Sequence, residues 1–210
     1  MKFDHNNISP LDSRYANKIS SFRENFSESA LIKIRFEIEI EWILFLCNKL
    51  SKTFKPLSKN SIEKIINFKN KFDNKSVLRI KKIEATTNHD VKAVEYFIRD
   101  YFKKDKVLSS YIHLIHFGLT SEDINSLSYA VMIKNGISLY IDEITTINKV
   151  LKSYSKKWAN VAFLARTHGQ PASPSTLGKE FKVFAARLDR EISILKKVKP
   201  LAKFSGATGN

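Results

Sequence analysis

The sequence predicts an all-α fold, and three observations carry that expectation. Only six glycines and five prolines punctuate 210 residues, which favours long helices over a turn-rich β fold. Apolar residues step by threes and fours from Ile124 through Leu127, Val131, Ile137, Ile141, Ile144, Ile147, Leu151 and Tyr154 to Trp158, with one slip near Ile133. A second stripe follows in Leu177, Phe181, Phe184, Leu188, Ile192 and Leu195.

Residues 1–26 read as irregular, with turn signals at Ser9-Pro10 and Asp12-Ser13. From Ser27 onward Leu31, Ile34, Ile38, Trp42 and Phe45 keep helical spacing, yet Ile32 to Trp42 also alternates strictly, which is a strand signal. Helix is preferred here. Ser27 can cap it, Glu28 suits its first turn, and the pattern continues beyond strand length to Leu50. A short helix is expected over Ser61 to Phe72, with Ile62, Ile65 and Ile66 inward, and another over Ser76 to Glu84. Ala85 to Asp90 (ATTNHD) interrupts it, after which Asn88 or Asp90 caps a helix from Val91 to about Lys103. Ser109 to Phe117 reads as an amphipathic helix closed by Gly118. Thr120 to Asp123 (TSED) has capping-box spacing, with aspartate in place of glutamate. It opens a helix from Ser121 to about Trp158, about 55 Å long, although Gly136 costs it ~1 kcal/mol against alanine. Such a rod needs neighbours of similar length to bury its stripe. Ser173 as N-cap and Pro174 as first residue start the last helix, which ends near Lys199-Pro200. The expected organisation is a helical domain over 1–117 and the first part of a long-helix bundle over 118–210. The Gly-rich turn after the last helix leads to the expectation that these residues hold only part of the bundle.

Composition narrows the class. Hydrophobic residues make up 43% and charged residues 27% of the chain, enough to bury a core and unlike disorder. The lone Cys47, inside WILFLC, excludes a disulfide framework and a cysteine-rich zinc site, and reads as a core residue. The same WILFLC is the longest apolar run, far short of the roughly 18 residues a membrane span needs. The N-terminus lacks the apolar core of a signal peptide. A soluble cytoplasmic protein is expected, with His5 an exposed terminal residue. The net charge of +15 leaves two readings open: a nucleic-acid-binding surface, or compositional enrichment in lysine and asparagine. Lysines are scattered rather than gathered, and no nucleic-acid motif is present, so the second reading is preferred. A positive field would also draw in an anionic small substrate.

Four polar clusters fall outside the apolar periodicities: Ser9 to Tyr15, Thr86 to Asp90, Leu119 to Asn125 and Arg166 to Thr176. Helix starts offer unpaired N–H groups and the positive end of a dipole, which suit phosphates and carboxylates. Arg14 can add a bidentate contact and Tyr15 a hydroxyl donor. His168, between Thr167 and the turn pair Gly169-Gln170, is the candidate acid–base group. Plainer readings stand beside these: Thr120, Ser121, Asn88 and Asp90 can all be caps. His113 and His116 lie three apart with nothing spaced to complete a metal site, and read as structural.

SPLDSRY (9–15), EATTNHDVKAVEYF (84–97), FGLTSEDINSLSYA (117–130), RTHGQPASPSTLGKE (166–180) and SGATGN (205–210) together resemble the adenylosuccinate lyase family, bacterial type, of the fumarase/aspartase superfamily. The resemblance runs in order along essentially the whole chain. TSED and THGQPA are partly shared across the superfamily, whereas TTNHDVKAVEYF with TSEDIN is much more specific to the adenylosuccinate branch. It implies an all-α fold with a central bundle, a homotetramer with active sites shared between subunits, and no metal or organic cofactor. The implied reaction is β-elimination of fumarate from adenylosuccinate, giving AMP, and from the succinylocarboxamide ribotide of purine synthesis. The resemblance makes His168 the general acid and places Arg14, Tyr15, Asn88, His89, Asp90, Thr120 and Ser121 at substrate-contacting positions. The implied general base is a serine in a glycine- and proline-containing loop that no segment here resembles, so no base is assigned and these 210 residues alone are expected to be inactive. Another fumarate-releasing lyase, of the argininosuccinate type, and a basic helical nucleic-acid-binding protein are the alternatives.

Overall fold

Ser27 opens the first long helix as its sequence suggests: its hydroxyl accepts the Ala30 N–H at 3.2 Å. The computed structural model describes residues 9–209, so the expectation for His5 lies outside the described residues. In chain order the helices are α1 (Ser20–Phe26), α2 (Glu28–Lys49), α3 (Lys59–Asn70), α4 (Asn74–Thr87), α5 (Asp90–Phe102), α6 (Ser121–Lys157) and α7 (Leu177–Leu195). Strands β1 (Ala162–Thr167) and β2 (Gln170–Thr176) form an antiparallel hairpin. Apart from that hairpin, the regular elements among the described residues are helical, so the all-α expectation holds. No helix among them is long and apolar enough to cross a membrane.

The chain divides into two compact units, residues 9–133 with 200–209, and residues 134–199. In the first unit α2 is central and packs against α1, α3, α4 and α5. Its buried residues, among them Ile32, Ile34, Phe36, Ile40, Ile43 and Leu46, point in several directions. A helix enclosed on many sides carries no single stripe, which is why Ile32 to Trp42 also reads as an alternating strand. Phe36 anchors an aromatic cluster, stacking on Phe72 at 4.7 Å and meeting Phe68 edge-on at 5.0 Å. Cys47 is fully buried in the same core.

Several local expectations are corrected. Residues 10–26 are ordered as two 3₁₀ turns, Pro10–Asp12 and Ala16–Lys18, followed by α1; segments this short leave no periodicity to read. ATTNHD does not interrupt α4, which runs through Thr87. Asn88 is its C-cap, at φ +50, a left-handed conformation that asparagine tolerates. The N-cap of α5 is His89, neither Asn88 nor Asp90. Leu108–Leu114 is a 3₁₀ helix, whose start Asp105 holds by accepting the Val107 and Leu108 N–H groups at 2.8 and 3.0 Å.

In the second unit α6, the hairpin and α7 pack together. Asp189 accepts from Asn148 Nδ2 and from Lys152 Nζ, both at 2.8 Å. Tyr154, Trp158 and Phe181 form an aromatic group. Gly178 lets the start of α7 approach the end of α6: a Cβ there would lie 2.6 Å from Ala159 Cα and 2.7 Å from its nitrogen. The expected N-cap Ser173 and first residue Pro174 are instead strand residues. α7 starts at Leu177, capped by Thr176, whose Oγ1 accepts the Lys179 N–H at 3.2 Å.

Candidate active site

The corner between α4 and α5 brings three candidate residues together. Asn88 turns the chain, and His89 then caps α5 by accepting the Lys92 N–H on Nδ1 at 3.2 Å. A ring whose Nδ1 accepts carries its N–H on Nε2. That Nε2 lies 3.5 Å from Ser121 Oγ, so His89 meets the first residue of α6. Asp90 accepts its own helix's Val91 N–H on Oδ1 at 2.8 Å and the buried Arg35 guanidinium on Oδ2 at 2.7 Å. Arg35 also donates Nε–H to Asn125 Oδ1 at 2.9 Å, tying α2, α5 and α6 into one frame. His89 remains half-exposed, available to a ligand.

Thr120 and Ser121 are set by Asp123. Its Oδ2 accepts the Thr120 N–H at 2.8 Å, the half of the capping box that TSED suggests. Its Oδ1 accepts from Lys203 Nζ at 2.8 Å and from the Ser205 N–H at 3.0 Å. Burial works against the Asp123 charge, but the Lys203 hydrogen bond and the two N–H bonds outweigh it and hold its pKa down to about 2. One buried carboxylate thus fixes both the start of α6 and the stretch from Lys203 to Ser205. An apolar groove of about 600 Å³, lined by Trp42, Phe45, Ile124, Leu127 and Phe204 among others, flanks this clasp. Its lining offers little to an anion, so it is not the substrate pocket of a carboxylate-rich ligand.

His168 belongs to the second unit. It sits with Gly169 in the two-residue loop between the paired residues Thr167 and Gln170. Both loop residues have positive φ, +51 and +75, the pattern of a type I′ hairpin turn. The expected loop leading into a helix is therefore the tip of a β-hairpin, and the His168 side chain projects from an exposed turn. Arg14 and Tyr15 are exposed after the first 3₁₀ turn, with the Arg14 guanidinium 5.4 Å from the Tyr15 ring centroid. Of the expected residues, the first unit brings Asn88, His89, Asp90, Thr120 and Ser121 into one neighbourhood. Arg35, Asn125, Asp123 and Lys203, which hold that neighbourhood, were not among them. Arg35 had no distinguishing signal, being one of several charges that alternate with apolar residues from Ile32 to Trp42. Lys203 had none, since its partner lies 80 residues away.

A family model described as "Lyase" matches residues 13–210. The chain belongs to the lyase family. Lyase-family relatives named adenylosuccinate lyase include one from Legionella pneumophila (strain Corby), 44% identical over 209 residues, covering 98% of this chain and 45% of that protein. One from Buchnera aphidicola subsp. Schizaphis graminum is 42% identical over 205 residues, covering 97% and 45%. One from Escherichia coli (strain K12) is 38% identical over 205 residues, covering 97% and 45%. The chain spans under half the length of these lyases. Among solved structures, a fumarate lyase from Mesorhizobium sp. BNC1 superposes with a TM-score of 0.73 at 20% identity, covering 90% of this chain and 43% of that one. A β-carboxy-cis,cis-muconate cycloisomerase from Acinetobacter calcoaceticus sp. ADP1 gives 0.69 at 17%, covering 91% and 44%. At such identities these two speak for a shared fold alone.

Proposed function

We propose that this chain is part of an adenylosuccinate lyase, eliminating fumarate from adenylosuccinate to give AMP and from the succinylocarboxamide ribotide to give the aminoimidazole carboxamide ribotide. The observation that carries the reading is the in-order likeness, at 38–44% identity over nearly the whole chain, to relatives that bear that name. The local chemistry supports it. Elimination removes a proton from the carbon beside a carboxylate and protonates the departing nitrogen. His168 is the proton donor in this reading, presented on an exposed tight turn. His89 offers an Nε2–H beside Ser121, an arrangement suited to orienting an anionic oxygen. Asp90 pairs with the Arg35 guanidinium and in this reading contacts substrate beside His89. Arg14 and Tyr15 supply a guanidinium and a phenol, and Asn88, Thr120 and Ser121 add short polar contacts at two helix ends.

The site is shared in this reading between copies of the chain in a homotetramer. His168 and the His89 neighbourhood are therefore supplied by different segments of the assembly. The proton abstractor in this reading is a serine in a loop that no segment of this chain resembles, so none is assigned here. No cofactor takes part. The test is direct: the full-length protein, given adenylosuccinate, should release fumarate and AMP in equal amounts, followed by the loss of substrate absorbance. Argininosuccinate should be neither substrate nor inhibitor. Absence of fumarate from adenylosuccinate would overturn the reading.

A further inference from the structure

Behind the His89 corner lies a buried ionic group that the proposed reaction leaves unused. Glu39 on α2 is fully buried, and Glu95 on α5 nearly so. His116 sits between them in the turn that leads into α6, with φ +61. Both Glu39 oxygens are committed to it: Oε1 lies 2.6 Å from His116 Nδ1, and Oε2 accepts the His116 backbone N–H at 3.1 Å. His116 Nε2 is 3.8 Å from Glu95 Oε1, and Glu95 Oε2 takes Lys92 Nζ at 2.8 Å. Lys92 is the residue whose N–H caps onto His89. One turn before Glu39 on α2, Arg35 is already paired with Asp90. The charges around the ring are thus Glu39, Glu95 and Lys92. With a neutral imidazole the group carries one unbalanced negative charge away from water; with an imidazolium it is balanced, and unbalanced buried charge is costly.

We propose that Glu39, His116, Glu95 and Lys92 form a proton-dependent latch joining α2, α5 and the turn into α6, so that loss of the His116 proton loosens residues 116–121 and 89–92 together. The turn has few other ties. His116 and Gly118 both sit at positive φ, and the other side-chain bonds to the backbone of 116–121 among the described residues are Trp42 Nε1 donating to Phe117 O at 2.9 Å and Asp123 Oδ2 accepting the Thr120 N–H at 2.8 Å. Burial pulls the His116 pKa down, but the Glu39 hydrogen bond, the Glu39 charge and the Glu95 charge outweigh it against opposition from Lys92. The net direction is above the ordinary 6.5. A raised folded-state value means the latch contributes fully below the unfolded value. Its contribution is lost as pH climbs through the folded one. The inference is independent of the reaction proposed above.

Hydrogen–deuterium exchange of the full-length protein, corrected for intrinsic rates, tests it from about pH 6 to about pH 9.5. Protection of peptides covering 116–121 and 89–92 should fall about tenfold or more across that range, while α3 keeps its protection. Glu39→Gln retains an acceptor for the His116 N–H but removes the charge, and should move the loss to lower pH. Flat protection in the wild type, an equal loss in α3, or an unmoved transition in E39Q would each overturn the latch. Should E39Q fail to fold, the wild-type series decides alone.

Discussion

At the scale of single residues, backbone conformation and chemistry are joined at His168. Its φ of +51 is one that few side chains adopt readily, and the hairpin turn requires it. A test of its role must therefore spare the turn. Asparagine accepts the left-handed region about as well as histidine does, but cannot transfer a proton near neutrality. His168→Asn in the full-length protein should lower kcat for fumarate release by roughly 10²–10⁴-fold, the usual contribution of a general acid, with KM changed little. Circular dichroism and melting should match the wild type. Retained turnover would remove His168 from the mechanism. Asp123 shows the opposite kind of residue, one whose chemistry is spent on structure. Its three accepted hydrogen bonds leave it an organiser of the Thr120–Ser121 edge, with a charge that persists until strongly acidic pH.

At the scale of elements, what could be read from the sequence was decided by period and by range. α6 and α7 were legible because each repeats an apolar pattern over several turns, and α2 because Ser27 sits where a cap must and its apolar run outlasts a strand. The hairpin was not legible because Pro171 and Pro174 argue against a strand. In a two-stranded ribbon both strands are edges, so a proline can point its missing N–H outward. The His-Gly pair was the overlooked signal, since glycine after a residue tolerant of positive φ is the type I′ pattern. The polar clusters could be located as clusters. Their supports, Arg35 and Lys203, depend on partners 55 or more residues distant, which no local pattern encodes. Gly178 is an element-scale constraint of the same kind. Its missing Cβ allows α7 to meet α6 backbone to backbone, where no side chain can rotate aside. Gly178→Ala should destabilise the full-length protein by about 1–3 kcal/mol, the usual cost of overpacking, and lower Tm accordingly. An unchanged melting curve would mean the two helices separate there at no cost.

At the scale of the whole molecule, the second unit leaves apolar side chains at the surface that a finished assembly would cover. Tyr140, Ile147 and Tyr154 are 52%, 56% and 38% exposed and recur every seven residues along α6. A seven-residue repeat of this kind is the seam of a helix that packs lengthwise against another. Covering one such side chain contributes on the order of 1.5–3 kcal/mol. Within the proposed homotetramer, this seam is where helices from other copies would lie, and the shared active sites would depend on that packing. Ile147→Arg places a cation at the middle of the seam, which water tolerates and a packed interface does not. In the full-length protein the substitution should break the tetramer into smaller species, seen by light scattering after size exclusion. Fumarate release should fall with it, because sites assembled from several copies cannot survive dissociation. The two readouts must move together: a variant that stays tetrameric and active would show that α6 meets no partner at Ile147, and one that dissociates yet keeps full turnover would show that the sites lie within single copies.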